Sequence, residues 1–319
     1  MTTFHFDGHH IQPGEKFKNI VTIDNYPYEI PYVVINGSAE GPVLMLTAGV
    51  HNQEFIGIQS AVELAREFDP DHINGTVLIF PMVNRSGFEH RTMSYTYEDG
   101  KNFNRVFPGD PEGSISEIYA HWFVHDVFPL IDYCIDMHSG DNFEELTPYV
   151  YCQGNAAPEV MEKSLDMAKD VNVPYIVVSN EYTHGLYNQA GTEGIPGILI
   201  ERGNLSQRNT EDSTMMKNDV YNIMVGLGML RHRKHAASTD GIVLSDCIYQ
   251  MSPQRGLWYP RWNKGTYVTK GSLIGEIHNY FGEVIYTCRA ETDGVILYQT
   301  KSLNILEDDV MACIGVIDR

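Results

Sequence analysis

His51 and Glu54 stand three residues apart where an apolar run ends, and His138 and Glu201 each close an apolar run further along the chain. Two imidazoles and one carboxylate with a fourth position open form the donor set of a catalytic zinc, whereas structural sites use four protein ligands. A further carboxylate that is not a ligand would act as base toward the water such a metal activates. The chemistry these residue types suggest is metal-assisted hydrolysis. The alternative for each is structural: a helix-start Glu54 facing the macrodipole beside an ordinary His51, and a strand-end His138 satisfied locally.

Convergence requires elements that bring the four to one place. Val43–Val50 is short, apolar and bounded by Gly41-Pro42, so it reads as a buried strand, and Phe55, Ile58, Val62 and Ala65 follow at helical spacing. Gly75–Val83 is a second strand that completes a β-α-β unit. Ile131–Met137 leads to His138, and Ile198–Ile200 leads to Glu201. Strands are also expected at Thr147–Gln153 and Pro174–Ser179, and helices at Ser116–Leu130, Pro158–Val171 and Thr214–Leu230. Asn180–Ile195 reads as a loop, and Phe17–Asp24 with Tyr28–Ile35 as a hairpin around Asn25-Tyr26-Pro27. In such α/β sheets ligands bind at the carboxyl ends of the strands, where all four residues fall.

Composition limits the function classes. A chain of 319 residues with 43% hydrophobic and 20% charged residues is that of an ordinary globular protein with a large core. Its net charge of −20 argues against nucleic acid, since phosphate binding needs clustered Lys and Arg. No apolar stretch is long enough for a membrane span, and the N-terminus lacks a signal-peptide pattern. Five widely spaced cysteines suit reduced thiols in a cytoplasm better than a disulfide framework or a cysteine-based zinc site.

The ordered set of motifs resembles the succinylglutamate desuccinylase/aspartoacylase family, the amide-hydrolysing branch of the zinc carboxypeptidase-like fold. His51-Asn52-Gln53-Glu54 matches the family's first motif at both ligand positions and departs at the middle pair. Asn84, Arg91 and Asn102-Phe103-Asn104-Arg105-Val106-Phe107-Pro108-Gly109 look like its next series, Asp136-Met137-His138 like its third-ligand motif, and Glu201-Arg202-Gly203 like its catalytic Glu-x-Gly. An ordered series is far harder to match by chance than one motif. The resemblance implies a doubly wound, mixed but mainly parallel α/β sheet and one Zn2+ per active site, held by His51, Glu54 and His138. It implies Glu201 as the catalytic carboxylate and Asn104 with Arg105 as a clamp for a substrate carboxylate. Arg91 is the candidate for polarising the carbonyl, its alternative being a surface salt bridge with Glu89 or Glu98. Asn84-Arg85 repeats the dipeptide but lacks the following Phe-Pro-Gly. Tyr182 and Tyr187 could hydrogen-bond a substrate or pack in the core or rim. Gly191 stands ten residues before Glu201, where aspartoacylases carry an Arg for a second carboxylate, which argues against aspartate-type substrates.

Two domains are expected, an α/β hydrolase domain over 1–238 and a small all-β domain over 239–319. Lys270–Ile277 and Ala290–Val295 resemble a lipoyl/biotinyl carrier barrel without the modification turn, so no attached lipoyl or biotinyl group is expected. Its role would be to rim the active site or to mediate homo-oligomer contacts. The combined expectation is a zinc-dependent hydrolase that removes an acyl group from a small N-acylated amino acid or amine. The rivals are a metallocarboxypeptidase on short peptides and a non-enzymatic metabolite-binding protein.

Overall fold

The strands that carry His138 and Glu201, and the one that leads to His51 and Glu54, form the centre of a nine-stranded sheet in the computed structural model, which describes residues 2–23, 28–230 and 241–317. In chain order the strands are β1 (Glu15–Thr22), β2 (Glu29–Asn36), β3 (Ala39–Ala48), β4 (Asn74–Phe80), β5 (Tyr133–His138), β6 (Tyr149–Gln153), β7 (Tyr175–Ser179), β8 (Gly197–Glu201) and β9 (Ile242–Leu244). In space they run β9-β7-β6-β8-β5-β3-β4-β2-β1. The central four, β8, β5, β3 and β4, are parallel to one another, and β6, β7 and β9 form a second parallel set antiparallel to β8. β1 and β2 are the expected hairpin, with Thr22 opposite Glu29.

The helices are α1 (Phe55–Glu67), α2 (Arg85–His90), α3 (Ile115–Trp122), α4 (Pro158–Lys169), α5 (Leu186–Thr192) and α6 (Thr210–Gly226). Alternation along β3 splits the core in two. Leu44, Leu46 and Ala48 join Ile56, Leu64, Met167 and Val220 from α1, α4 and α6, whereas Met45 faces Phe103, Tyr119, Phe123 and Leu186 on the other side. Both faces of the central strands are therefore covered, which explains why they read as continuous apolar runs.

Three boundaries differ from expectation, each for a local reason. The helix expected to run to Leu130 leaves α-geometry after Trp122, passing through a π-turn at Phe123–Val127 and a 3-10 turn at Phe128–Leu130. Pro129 supplies no amide donor there. The Asn180–Ile195 loop contains α5, whose residues from Leu186 to Gly191 are all buried, so it has no polar face to give a helical period. α6 starts at Thr210 because the Asn209 side chain accepts from the Asp212 amide at 2.7 Å. The turn at Asn25-Tyr26-Pro27 and the basic stretch after Leu230 lie outside the described residues.

After β9 the remaining strands, from Cys247 to Val316, form two antiparallel sheets packed on Trp258, Ile274, Ile277, Ile296, Met311 and Ile314. One of these sheets takes in Glu144–Leu146 from the loop after His138, paired antiparallel with Gly294–Thr300 so that Leu146 faces Tyr298.

Candidate active site

The C-terminal edge of the parallel strands assembles the site. Beyond β3 the chain turns at Gly49, whose φ of 66° is open to glycine and whose added Cβ would lie 2.9 Å from Met82 Sδ. That turn brings His51 back over the sheet and sets Glu54 at the N-cap of α1. Gly57, in the first turn of α1, lies so close to β5 that a Cβ there would stand 2.2 Å from the Met137 carbonyl oxygen. Helix α1 is thus pressed onto the strand whose next residue is His138.

Glu54 lies between the two imidazoles. Its Oε1 is 2.6 Å from His51 Nδ1 and its Oε2 is 2.7 Å from His138 Nδ1, while the Ser139 amide donates to Oε2 at 3.1 Å. One donor atom from each of the three residues lies within 4.8 Å of the others. On the outer side, His51 Nε2 is hydrogen-bonded to Asn102 Oδ1 at 3.2 Å, and His138 Nε2 stands 3.0 Å from Asp136 Oδ2 at an ion-pair distance without hydrogen-bond geometry. The Asn102 acceptor favours a proton on His51 Nε2 and leaves its Nδ1 as a lone-pair donor, the outer-shell arrangement of histidine metal ligands. Asn102 therefore matters as an orienting group for His51, and the donor set fits a divalent transition ion with nitrogen and oxygen preference.

Glu201 sits beside His138 in the β8–β5 register. Its Oε2 is buried with no hydrogen-bond partner. Burial and then the charge of Glu54 push its carboxyl well above the usual range. Glu54 moves the other way: burial would raise it, but the imidazoles of His138 and His51 hold it below. For His138, burial favours the neutral ring, and the carboxylates of Asp136 and Glu54 more than reverse that. The Glu54 and Glu201 carboxyls are thus pushed apart by their surroundings, the pattern that separates acid and base roles in active sites.

These groups line a cavity of about 220 Å³. Asn104 and Tyr187 line it from buried positions, and Arg105 lines it from an exposed one. Asn104 Oδ1 accepts from the Leu186 amide at 2.8 Å, so α5 fixes the Asn104 side chain. Burial raises the Tyr187 phenol. Arg91 is not brought here. It ends α2 in a left-handed conformation, is exposed, and does not line the cavity, so the carbonyl-polarising role expected of it finds no geometric support. Neither salt bridge weighed for it forms, because Glu89 pairs with Arg85 and Glu98 accepts from Ser86. Asn84-Arg85 is structural: Asn84 caps α2 by accepting from the Gly87 amide, and Arg85 pairs with Glu29 and Glu89. Tyr182 donates to the Phe107 carbonyl at 3.1 Å.

Asp141, Glu144, Tyr249 and Tyr298 are among the lining groups that the sequence did not single out. The first two follow His138 within six residues, a signal that was available. The tyrosines come from the C-terminal sheets, more than a hundred residues beyond His138, and carry no local signal.

The profile of the Succinylglutamate desuccinylase/Aspartoacylase catalytic domain matches residues 40–227. The chain belongs to this family. It is 28% identical over 298 residues to an N-alpha-acetyl-L-2,4-diaminobutyric acid deacetylase from Halomonas elongata, covering 90% of this chain and 86% of that one. The product-bound ectoine utilization protein EutE from Ruegeria pomeroyi superposes with a TM-score of 0.84 at 25% identity over 95% of each chain. A succinylglutamate desuccinylase from a Silicibacter species superposes at 0.83 with 21% identity over 97% of each, a likeness of fold. The large mainly parallel sheet is thus the family's, and the matched span contains His51, Glu54, His138 and Glu201.

Proposed function

We propose that the protein is a zinc-dependent deacylase acting on the amide of a small N-acylated amino acid. The observation that carries this reading is the meeting of the His51–Glu54–His138 donor set with the unpartnered Glu201 carboxyl in one small cavity. Its volume of about 220 Å³ lies below the ~300 Å³ at which pockets for drug-sized ligands begin, which favours short substrates over polypeptide ends.

His51, Glu54 and His138 would hold the ion. Bound zinc would supply acidity to a water, bringing it near pKa ~7, and positive charge that draws Glu201 back toward its ionised form. Glu201 takes a proton from the attacking water and returns it to the leaving amine, a role that needs one carboxyl within reach of both. Asn104 and Arg105 hold the substrate carboxylate at the mouth, the guanidinium supplying paired donors. Tyr187 and the tyrosines of the C-terminal strands wall the cavity. Those strands rim the site, in a role that suits the carrier-barrel likeness read from the sequence.

The test is elemental analysis of the purified protein together with a panel of N-acetyl amino acids and dipeptides. One zinc per chain and release of acetate, lost in Glu201→Gln with the metal retained, are expected. Turnover of dipeptides alone would establish the peptidase instead, and metal-free protein without Glu201-dependent turnover would sink the enzymatic reading.

A further inference from the structure

Far from the active-site cavity in sequence, a second set of metal-binding side chains is held in place by the fold. Phe4–Phe6 and His9–Ile11 form a two-stranded antiparallel ribbon. Its turn is Asp7-Gly8, with φ of 50° and 72°, the tight hairpin whose twist matches that of the strands it joins. Alternation along the strands buries Phe6 and Ile11 and exposes His5 and His10. Phe6 packs edge-on against Tyr32 and Phe80. The Tyr32 hydroxyl donates to Asp7 Oδ2 at 2.9 Å, and the Asn36 side-chain amide donates to the Ile11 carbonyl at 2.8 Å. Turn and strands are thus fastened to the large sheet, so the two exposed histidines start from fixed backbone.

His5 and His10 stand directly opposite each other across the ribbon. Their rings meet edge to face, and Nδ1 faces Nδ1 at 2.6 Å. Two imidazole nitrogens so placed share either one proton or one ion. Neighbouring ligands ~2.0 Å from an ion stand about 2.8 Å apart in a square plane and about 3.3 Å apart in a tetrahedron, so the square plane is the closer fit. Square-planar nitrogen and oxygen ligation is typical of Cu2+ and Ni2+, and Cu2+ binds the more tightly. Beside the pair lies a groove of about 480 Å³, lined also by Trp122 and Asp126, with room for the waters that two protein donors leave to complete the shell. It shares no lining residue with the active-site cavity. The net charge of −20 favours a cation there as elsewhere on the surface. His121 and His125, on either side of Trp122 in the chain, are the competing pair. They meet ring over ring, with centroids 4.0 Å apart and planes at 43°.

We propose that His5 and His10 form a second metal site, a two-imidazole chelate for Cu2+ with water in the remaining positions, separate from the catalytic ion. Each ring then binds through Nδ1 and carries its proton on Nε2. The site is independent of the deacylase reading.

Protein saturated with Zn2+ is titrated with Cu2+ against glycine as a weak competitor. Zinc content, the electron paramagnetic resonance spectrum and tryptophan emission are read on the same samples. One Cu2+ per chain without loss of zinc, an axial signal split by two nitrogens, and quenched emission are expected. His5→Gln and His10→Gln should each remove one nitrogen from the signal and weaken binding by about tenfold or more. Both side chains are exposed, so thermal melting should be unchanged. Trp122→Phe should keep the copper and lose most of the quenching. Failure to bind Cu2+ overturns the inference. So do copper taken up only as zinc is displaced, an affinity and spectrum unaltered in His5→Gln, and a signal that disappears in His121→Gln instead.

Discussion

At the scale of single residues, the site depends on which nitrogen of each histidine is free. Asn102 Oδ1 and Asp136 Oδ2 stand against the two Nε2 atoms, at 3.2 and 3.0 Å, and Glu54 stands against the two Nδ1 atoms. Asn102 is neutral and only accepts at this contact, so it sets the tautomer of His51 without adding charge. Asn102→Ala should weaken metal affinity by about 10–100-fold, measured by competition with a chelator. Unchanged affinity would mean that His51 is held by Glu54 alone. The meeting of His51, Glu54, His138 and Glu201 was legible in the sequence because each stands at or just beyond the end of an apolar run, and a run's end is a place in the fold. Asp141 and Glu144 were not, since carboxylates after a strand are ordinarily solvated, and their burial comes from strands contributed by the other end of the chain.

At the scale of elements, α1 is the part on which the geometry turns. Its first residues meet β5 at Gly57 and the end of β8 at Gly203, where a Cβ would stand 2.5 Å from Ile56 Cγ1. The helix therefore fits between the strands that present His138 and Glu201. Gly57→Ala adds one methyl where the obstacle is backbone. Overpacking of this kind costs about 1–3 kcal/mol, and here it should also lower activity by moving Glu54 away from His138. Thermal melting and kcat read the two effects, and a variant as stable and active as the parent would show that the helix shifts freely. Periodicity identified α1 because one side packs while the other is wet. It missed α5, buried all round, and overran α3, where Pro129 interrupts the pattern.

At the scale of the molecule, the last strands are not an appendage. Val295, Leu297 and Cys313 belong to the same apolar cluster as Tyr149, Leu186 and Tyr187, and Tyr151 and Tyr249 meet hydroxyl to hydroxyl at 3.0 Å. The small all-β domain expected over 239–319 is joined to the large sheet in two ways: Ile242–Leu244 is its β9, and Val295, Leu297 and Cys313 pack into its core, while Trp258, Ile274 and Ile314 keep a cluster of their own. Calorimetry should give one unfolding transition for the whole chain, whereas independent domains would give two. No described helix is long and apolar enough to cross a membrane.

The pairing of Glu144–Leu146 with Gly294–Thr300 has a consequence in time. Glu145 and Gln299 are 154 positions apart, so this contact closes a very long loop and adds to the contacts that slow folding. The ribosome delivers both histidines and Glu201 well before the strand that receives Glu144. A nascent chain can thus gather His51, His138 and Glu201 on its central strands early, while the wall that holds Glu144 waits for a strand made much later.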